Sequence, residues 1–354
     1  MKKQRVRAYP TFHCPIKEQR WDLYKNGLSA SLIQLWLACR QQFNLAVVKG
    51  WTNRSEPIGP AFGSCIHWVL RQAYAKHKIK DVLRLGQLKR WVIQYGQLWL
   101  KEHPLPTTHQ REQQEMIYTL ADAILPEYVQ YWKPDWTGKL AGRPHYRGLP
   151  IPKKWLSLEK PFDIPWKIPG TKHTIRLRGV WDGICLDQKD RLWVFDTKCF
   201  SVIVDSQLIH TLPHDFQFWL YLTAAWIVFG QCPYGIILNV VRRPQHHQGK
   251  HETLKDFGKR VAGEIAKDPD HSFIRYVLEV TSKEIKDWHK QQLDPVLRDF
   301  WLWWEGRTPH YMTPFALINK YGQCSMFEPI TQGNFSGCYQ KEKGHLLDYQ
   351  TAQT

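Results

Sequence analysis

A chain of 354 residues with 43% hydrophobic content has enough apolar side chains to fill a core, which excludes a disordered tail, and no window reaches the roughly 20 apolar residues of a membrane span. Its 49 Lys and Arg against 32 Asp and Glu give a net charge of +17, spread along the chain, which points to a polyanionic partner rather than a membrane. The start, MKKQRVRAYPTFHCP, lacks the apolar stretch of a secretory signal, and the eight cysteines contain no CxxC pair, so the expectation is a cytoplasmic protein without a disulfide framework.

From Leu28 the segment LSASLIQLWLACRQQF carries apolar residues at helical spacing, with Ser29 or Ser31 as N-cap. The stretch PIGPAFGS punctuates with Pro and Gly and leads to a second helix near Ser64 that holds His67. Residues 82–133 read as two or more helices broken at HPLPTT, and KPDWTGKLAGRPHYRGLPIPKK marks a loop. The character then changes: WLSLEKPFDIPW, TKHTIRLRGVWDGICL and RLWVFDTKCF are runs rich in β-branched and aromatic residues, the last two joined by the turn-like DQKD. HDFQFWLYLTAAWIVF is a helix after Pro213, ended by Gly230, and CPYGIILNVVRRP is a buried strand. The basic loop PQHHQGKHETLK leads to helices through about residue 304, and the tail from Arg307 is irregular. This order predicts a mixed α/β core with a helical segment inserted or prefixed.

In RLWVFDTKC, Asp196 and Lys198 stand two apart on a predicted strand, so both side chains point to one face. A hairpin turning at 187–190 brings Asp182, on the preceding strand, near them. Two carboxylates and a lysine in one place suit phosphodiester hydrolysis. Hard oxygen ligands, with the Thr197 carbonyl as a further one, hold Mg2+, and Lys198 orients an attacking water or favours its deprotonated form. Taken alone, D-x-K is a weak signal and more often the pattern of a solvated salt bridge on an edge strand.

The flanking segments resemble the PD-(D/E)XK nuclease superfamily in its RecB-like branch, which includes the AddB and CRISPR-adaptation nucleases and phage exonucleases. Four segments match in order: FGSCIHWVL with His67, RGVWDG with Asp182, VFDTK with Asp196 and Lys198, and QFWLY with Gln217 and Tyr221 as a Q-x-x-x-Y pair. The resemblance implies a restriction-endonuclease-like mixed central sheet flanked by helices. It implies His67, Asp182, Asp196 and the Thr197 carbonyl as ligands of Mg2+ or Mn2+, Lys198 as the catalytic lysine, and Gln217 and Tyr221 as residues lining the site. Positions i and i+4 share a helical face, in agreement with the last pair. By itself His67 is more often a helix-packing residue, and the Gln217 and Tyr221 pair a surface stripe. On this reading residues 1–27 are an N-terminal extension, 28–306 the nuclease domain with a helical insertion over about 78–150, and 307–354 an irregular tail packing back on it.

Members of this branch often hold an iron-sulfur cluster on one early and three late cysteines. Here Cys39 fits the first position and only Cys324 fits the tail, with Cys338 or Cys14 at unfamiliar spacings, so the expectation is that the cluster has been lost and that Cys39 and Cys324 are small buried hydrophobes. The HHQGKH run at 246–251 lacks metal-ligand spacing. Arg242 and Arg243, at the end of a strand similar to one in phage members, are placed to meet phosphates or to stand in solvent. Eighteen Trp can stack on unpaired bases or fill the core.

The function expected is therefore a Mg2+-dependent DNA nuclease, exonuclease or single-strand nuclease, working in phage or mobile-element DNA processing, recombination or repair, with DNA and a helicase or recombinase as partners. The rivals are a non-catalytic nucleic-acid-binding protein on the same fold and an RNA-processing nuclease.

Overall fold

The computed structural model describes residues 20–53, 59–76, 78–84, 86–102, 107–139, 146, 148–201, 205–309, 318–319, 322–323 and 338–340. They fall into two compact units, one made of Pro57–Lys160 and Val180–Ile285, the other of Met1–Glu56, Pro161–Gly179 and Lys286–Thr354.

The first of these units contains helices α1 (Gly59–Tyr74), α2 (Gln87–Glu102) and α3 (Thr108–Tyr131), followed by strands β1 (Pro152–Lys167), β2 (Thr174–Asp187) and β3 (Leu192–Phe200), of which β1 belongs to it up to Lys160 and β2 from Val180. Helix α4 (Phe216–Phe229), strand β4 (Gly235–Arg242), helix α5 (Leu254–Lys267) and strand β5 (Phe273–Glu279) complete it. The sheet runs in the order β1-β2-β3-β4-β5, with β3 parallel to β4 and antiparallel to β2, and β5 antiparallel to β4. It is the mixed sheet with flanking helices that the element order predicts.

Alternation along the strands sorts its two faces. Trp193 and Phe195 of β3, with Ile237 and Val241 of β4, join the apolar cluster built by α1, α2, α3 and α5. Asp196 and Lys198 therefore project from the other face, where α4 packs on β3 and β4.

Local chemistry explains where the elements start and stop. Helix α3 opens on a reciprocal capping box between Thr107 and Gln110. Helix α4 opens on Asp215, whose carboxylate accepts the Gln217 amide at 2.8 Å, and closes on Gly230 in the left-handed region at φ 68°. In the β2–β3 turn Asp187 accepts the amides of Lys189 and Arg191 at 2.8 and 2.9 Å, Arg191 Nε at 2.7 Å and Trp193 Nε1 at 3.0 Å.

Burial pushes the Asp187 carboxyl up, but these donors outweigh it and leave it below its ordinary 3.8. Its stabilising effect is thus whole above that range and is lost as pH falls below it. Asp187→Ala should destabilise the unit by about 2 to 3 kcal/mol, because four donors lose an acceptor at a nearly buried turn. Chemical denaturation at neutral pH checks this, and the difference from wild type should shrink in acid.

Two features depart from the sequence reading. Helix α1 begins at Gly59 rather than near Ser64, since a proline at Pro60 is tolerated in a first turn where its missing N–H has no partner anyway. The stretch expected to be helical after the basic loop contains β5, an outer strand whose FIRYVLE run is rich in β-branched and aromatic residues.

In the other unit, Ser29, not Ser31, caps helix Ala30–Ala38 by accepting the Leu32 amide. Trp36 and Phe43 pack with Phe300 and Trp303 of helix Asp294–Trp304. Arg40 pairs with Asp299 at 2.5 Å. Gly27, at φ 69°, admits no side chain, because a Cβ there would meet the Arg176 carbonyl oxygen at 2.4 Å. Trp51–Asn53 pairs antiparallel with Cys338–Gln340.

Cys39 is buried, and its Sγ accepts the Gln42 amide. Cys14 and Cys324 lie outside the described residues. Nine of the eighteen tryptophans are buried, which makes core packing their main use. No described helix is long and apolar enough to cross a membrane.

Candidate active site

Every side chain in this site belongs to the unit that contains α1–α5. Gly183 pairs with Phe195 across the β2–β3 ladder, which brings the preceding Asp182 level with Asp196. Gly183 is required there, since a Cβ would meet the Trp155 ring at 2.5 Å. The Thr197 amide donates to Asp182 Oδ2 at 2.6 Å, tying the two strands together at the site.

On β3, Lys198 Nζ stands 3.1 Å from Asp196 Oδ2. The solvated edge-strand salt bridge is excluded: β3 lies in the middle of the sheet and Asp196 is 1% exposed. Gln217, in the first turn of α4, donates from Nε2 to Asp196 Oδ1 at 3.4 Å and accepts from Lys198 Nζ at 3.3 Å. Tyr221, one turn on, is buried beside it, and burial with the Asp196 and Asp182 charges carries its pKa well above the ordinary value.

From α1, His67 Nδ1 reaches Asp182 Oδ2 at 3.3 Å and Glu159 Oε1 at 3.5 Å. Ligand atoms of His67, Glu159 and Asp182 all lie within 4.8 Å of one another; Asp196 stands outside that group, linked to it through Thr197. Glu159 is the residue that sequence reasoning missed. It sits in β1 at φ 46°, a conformation uncommon for any residue but glycine and often found at functional sites. Its only sequence signal is a place on the strand before the Asp182 strand.

The charges are interdependent. Burial by itself lowers the His67 pKa, but the Asp182 carboxylate and then Glu159 outweigh it and raise it well above the ordinary range. Burial likewise raises Asp182, and His67, Lys198 and the Thr197 amide reverse it to below the ordinary value. Burial pushes Asp196 up to about 7, with Asp182 adding to the rise and Lys198 and His67 opposing it. Glu159 is raised, first by burial. Lys198 is lowered by burial but raised overall by Asp196 and Asp182, and so stays cationic.

This donor set fits a divalent metal. Imidazole nitrogen and carboxylate oxygens are both ligands of divalent cations, and their atoms here stand close enough to share one. Asp196 Oδ2 is fully buried and makes no hydrogen bond, so beyond the Lys198 ammonium it still lacks the partners that a buried carboxylate requires.

Other expected residues lie elsewhere in the unit. Arg242 Nη1 is 3.0 Å from His271 Nε2 at the end of β4, and the Arg243 amide donates to the Phe200 carbonyl at 2.7 Å. In the histidine-rich loop, His246 pairs with Glu264 at 2.9 Å.

No curated protein matches the chain in sequence. Among solved structures, a candidate exonuclease from Eubacterium rectale is similar at 9% identity and a TM-score of 0.43, covering 79% of this chain and 82% of its own. A second, SSO0001, is similar at 12% identity and a TM-score of 0.27, covering 69% of this chain and 87% of its own. Likenesses that distant carry no weight for the assignment. A model of the PD-(D/E)XK nuclease superfamily matches residues 27–310. That span includes the whole constellation from His67 to Tyr221, and the chain belongs to the PD-(D/E)XK nuclease superfamily.

Proposed function

We propose that this protein is a Mg2+- or Mn2+-dependent DNA nuclease of the RecB-like exonuclease or single-strand nuclease type, hydrolysing phosphodiester bonds with an activated water. The observation that carries the proposal is the cluster of His67, Glu159 and Asp182, tied through the Thr197 amide to Asp196, a buried carboxylate paired with Lys198 and with an oxygen that makes no hydrogen bond. His67, Asp182, Asp196 and the Thr197 carbonyl would hold the metal, with Glu159 as a further ligand that the sequence pattern does not contain. When bound, the metal supplies Lewis-acid stabilisation of charge on the phosphate and lowers the pKa of water.

The side chains do the rest. Lys198, cationic and held by Asp196 and Gln217, orients the attacking water and offsets negative charge as the phosphate is attacked. Gln217 fixes both the Lys198 ammonium and the Asp196 carboxylate. Tyr221 lines the helical side of the site. A net charge of +17 draws the polyanion in, and Arg242 and Arg243 would meet its phosphates. Phage or mobile-element DNA processing, recombination or repair is the setting this activity suits, with a helicase or recombinase as partner.

The test is incubation of the purified protein with end-labelled linear, circular and single-stranded DNA, with RNA beside them, in Mg2+ and then in EDTA. Metal-dependent release of nucleotides or short products from DNA supports the proposal. Binding without cleavage in either condition would replace it with a nucleic-acid-binding role, and cleavage confined to RNA would replace the substrate. Glu159→Gln should weaken Mn2+ binding by about tenfold or more, because even the outer partners of metal ligands are worth that much. Calorimetric titration reads it, and an unchanged affinity would remove Glu159 from the ligand set.

A further inference from the structure

Behind the site, on the opposite face of the sheet, a row of polar residues crosses three strands. Thr197 of β3 is the register partner of Asn239 of β4, and Asn239 is the register partner of Arg275 of β5. Asn239 Nδ2 donates to Thr197 Oγ1 at 3.2 Å, while its Oδ1 accepts from Arg275 Nε at 3.2 Å and from Tyr128 Oη at 3.0 Å.

Arg275 in turn is clamped on Asp135, donating from Nη1 at 2.8 Å and from Nη2 at 2.5 Å, and lies over the Trp132 ring at 3.8 Å. Tyr74 Oη donates to Asp135 Oδ2 at 2.9 Å, accepts from Arg275 Nη2 at 3.1 Å, and stands 2.7 Å from Tyr128 Oη. Asp135, Arg275 and Asn239 are all buried.

Packing does not call for this row. Apart from Asn239 and the terminal Arg242, β4 (GIILNVVR) is apolar, and a buried asparagine in an inner strand is disfavoured unless its amide is fully used. A buried Arg–Asp pair is commonly no more stabilising than a well-packed apolar pair of the same size. What the row reaches is specific. At one end it holds the side chain of Thr197, whose amide holds Asp182 from the other face of the strand. At the other it holds Tyr74, seven residues and two turns along α1 from His67. Two of the elements that bring ligands to the site, β3 and α1, are anchored on one buried ion pair.

We propose that Asn239 is a positioning residue for metal binding: it holds the side chain of Thr197, the residue whose amide binds Asp182 and whose carbonyl is a proposed ligand. The inference rests on the metal-nuclease reading above. Outer hydrogen-bond partners of metal ligands act in this way, orienting donors they do not themselves supply.

The experiment measures Mn2+ affinity by calorimetry on wild type, Asn239→Leu, Thr197→Val and the double variant, with circular dichroism and thermal unfolding alongside, then DNA cleavage against Mn2+ concentration. Asn239→Leu and Thr197→Val should each weaken Mn2+ binding by about 10- to 100-fold. The double variant should lose no more than the worse single one, because both remove the same link. Cleavage at saturating Mn2+ should recover most of the way, which lost stability alone would not produce.

Folded variants with wild-type Mn2+ affinity overturn the proposal while leaving the nuclease reading intact, as do losses that add in the double variant. Should Asn239→Leu fail to fold, Thr197→Val alone decides between these outcomes, since it keeps the shape and removes only the acceptor. Wild-type protein that takes up no Mn2+ overturns both readings.

Discussion

Lys198→Ala is expected to slow metal-dependent DNA cleavage by about 100- to 10,000-fold, the range seen when a group that assists proton transfer is removed, while DNA binding stays near wild type. The ammonium has two tasks in this geometry. It stands 3.1 Å from Asp196 Oδ2 and takes a hydrogen bond partner in Gln217 Oε1, so its orientation is fixed before substrate arrives. It also opposes the rise in the Asp196 pKa that burial causes. Removing it should therefore weaken Mn2+ binding as well, and the rate has to be compared at saturating metal to isolate the first task. Asp196→Ala should abolish cleavage outright by removing a proposed ligand. Unchanged cleavage in both variants would refute the assignment.

The same carboxyl predicts a pH dependence in the wild-type protein. Burial, with the Asp182 charge adding to it, raises Asp196 to about 7, and the ionised form is the one that takes a cation. Mn2+ affinity should rise with pH through about 7 as Asp196 ionises, and go on rising above it as His67, whose pKa is raised well above its ordinary range, gives up the proton that competes for its nitrogen. Below that point a proton competes for the oxygen, and affinity should fall by up to about tenfold per pH unit. Titrations at about pH 6 and about pH 8 measure the difference.

The parts of this site that were legible in the sequence are those whose spacing is local. Asp196 and Lys198 share a strand face because they are two apart, and Gln217 and Tyr221 share a helix face because they are four apart; both pairs stand where that periodicity puts them. Asp182 was legible because a short turn, built on Asp187, forces its strand back along β3. Glu159 was not. Its place depends on how β1 lies against β2 and on a backbone conformation with φ 46°, neither of which composition or periodicity encodes.

The row behind the site was still less accessible. Asn239 and Arg275 are 36 positions apart, and Asp135 and Arg275 are 140 apart. Arg275 lies on a strand that the preceding helices masked in the sequence, and Asp135 lies in the short helix Pro134–Thr137, in a stretch that reads as loop. Long-range register creates these contacts, and a single sequence does not state it.

Arg275→Met should lower stability by about 3 to 5 kcal/mol, because it leaves the Asp135 carboxylate buried without its partner. Arg275 and Asp135 side chains are 1% and 0% exposed, so water cannot replace the lost guanidinium. Thermal unfolding should show a melting temperature lower by on the order of 10 °C. Adding Asp135→Leu should recover most of that loss, since an apolar pair of similar volume removes the unpaired charge. Tyr74, relieved of Asp135, is free to donate to Tyr128 Oη, 2.7 Å away, and Tyr128 keeps Asn239 as acceptor.

That double replacement also separates two uses of the buried pair. If the pair served stability alone, restoring the melting temperature would restore Mn2+ affinity with it. Asn239, however, loses the Arg275 Nε donor that helps fix its amide, and with it part of its hold on Thr197. The expected result is a protein that unfolds near the wild-type temperature yet binds Mn2+ measurably more weakly, because the ion pair secures the orientation of a ligand-bearing strand and contributes little net energy to the fold.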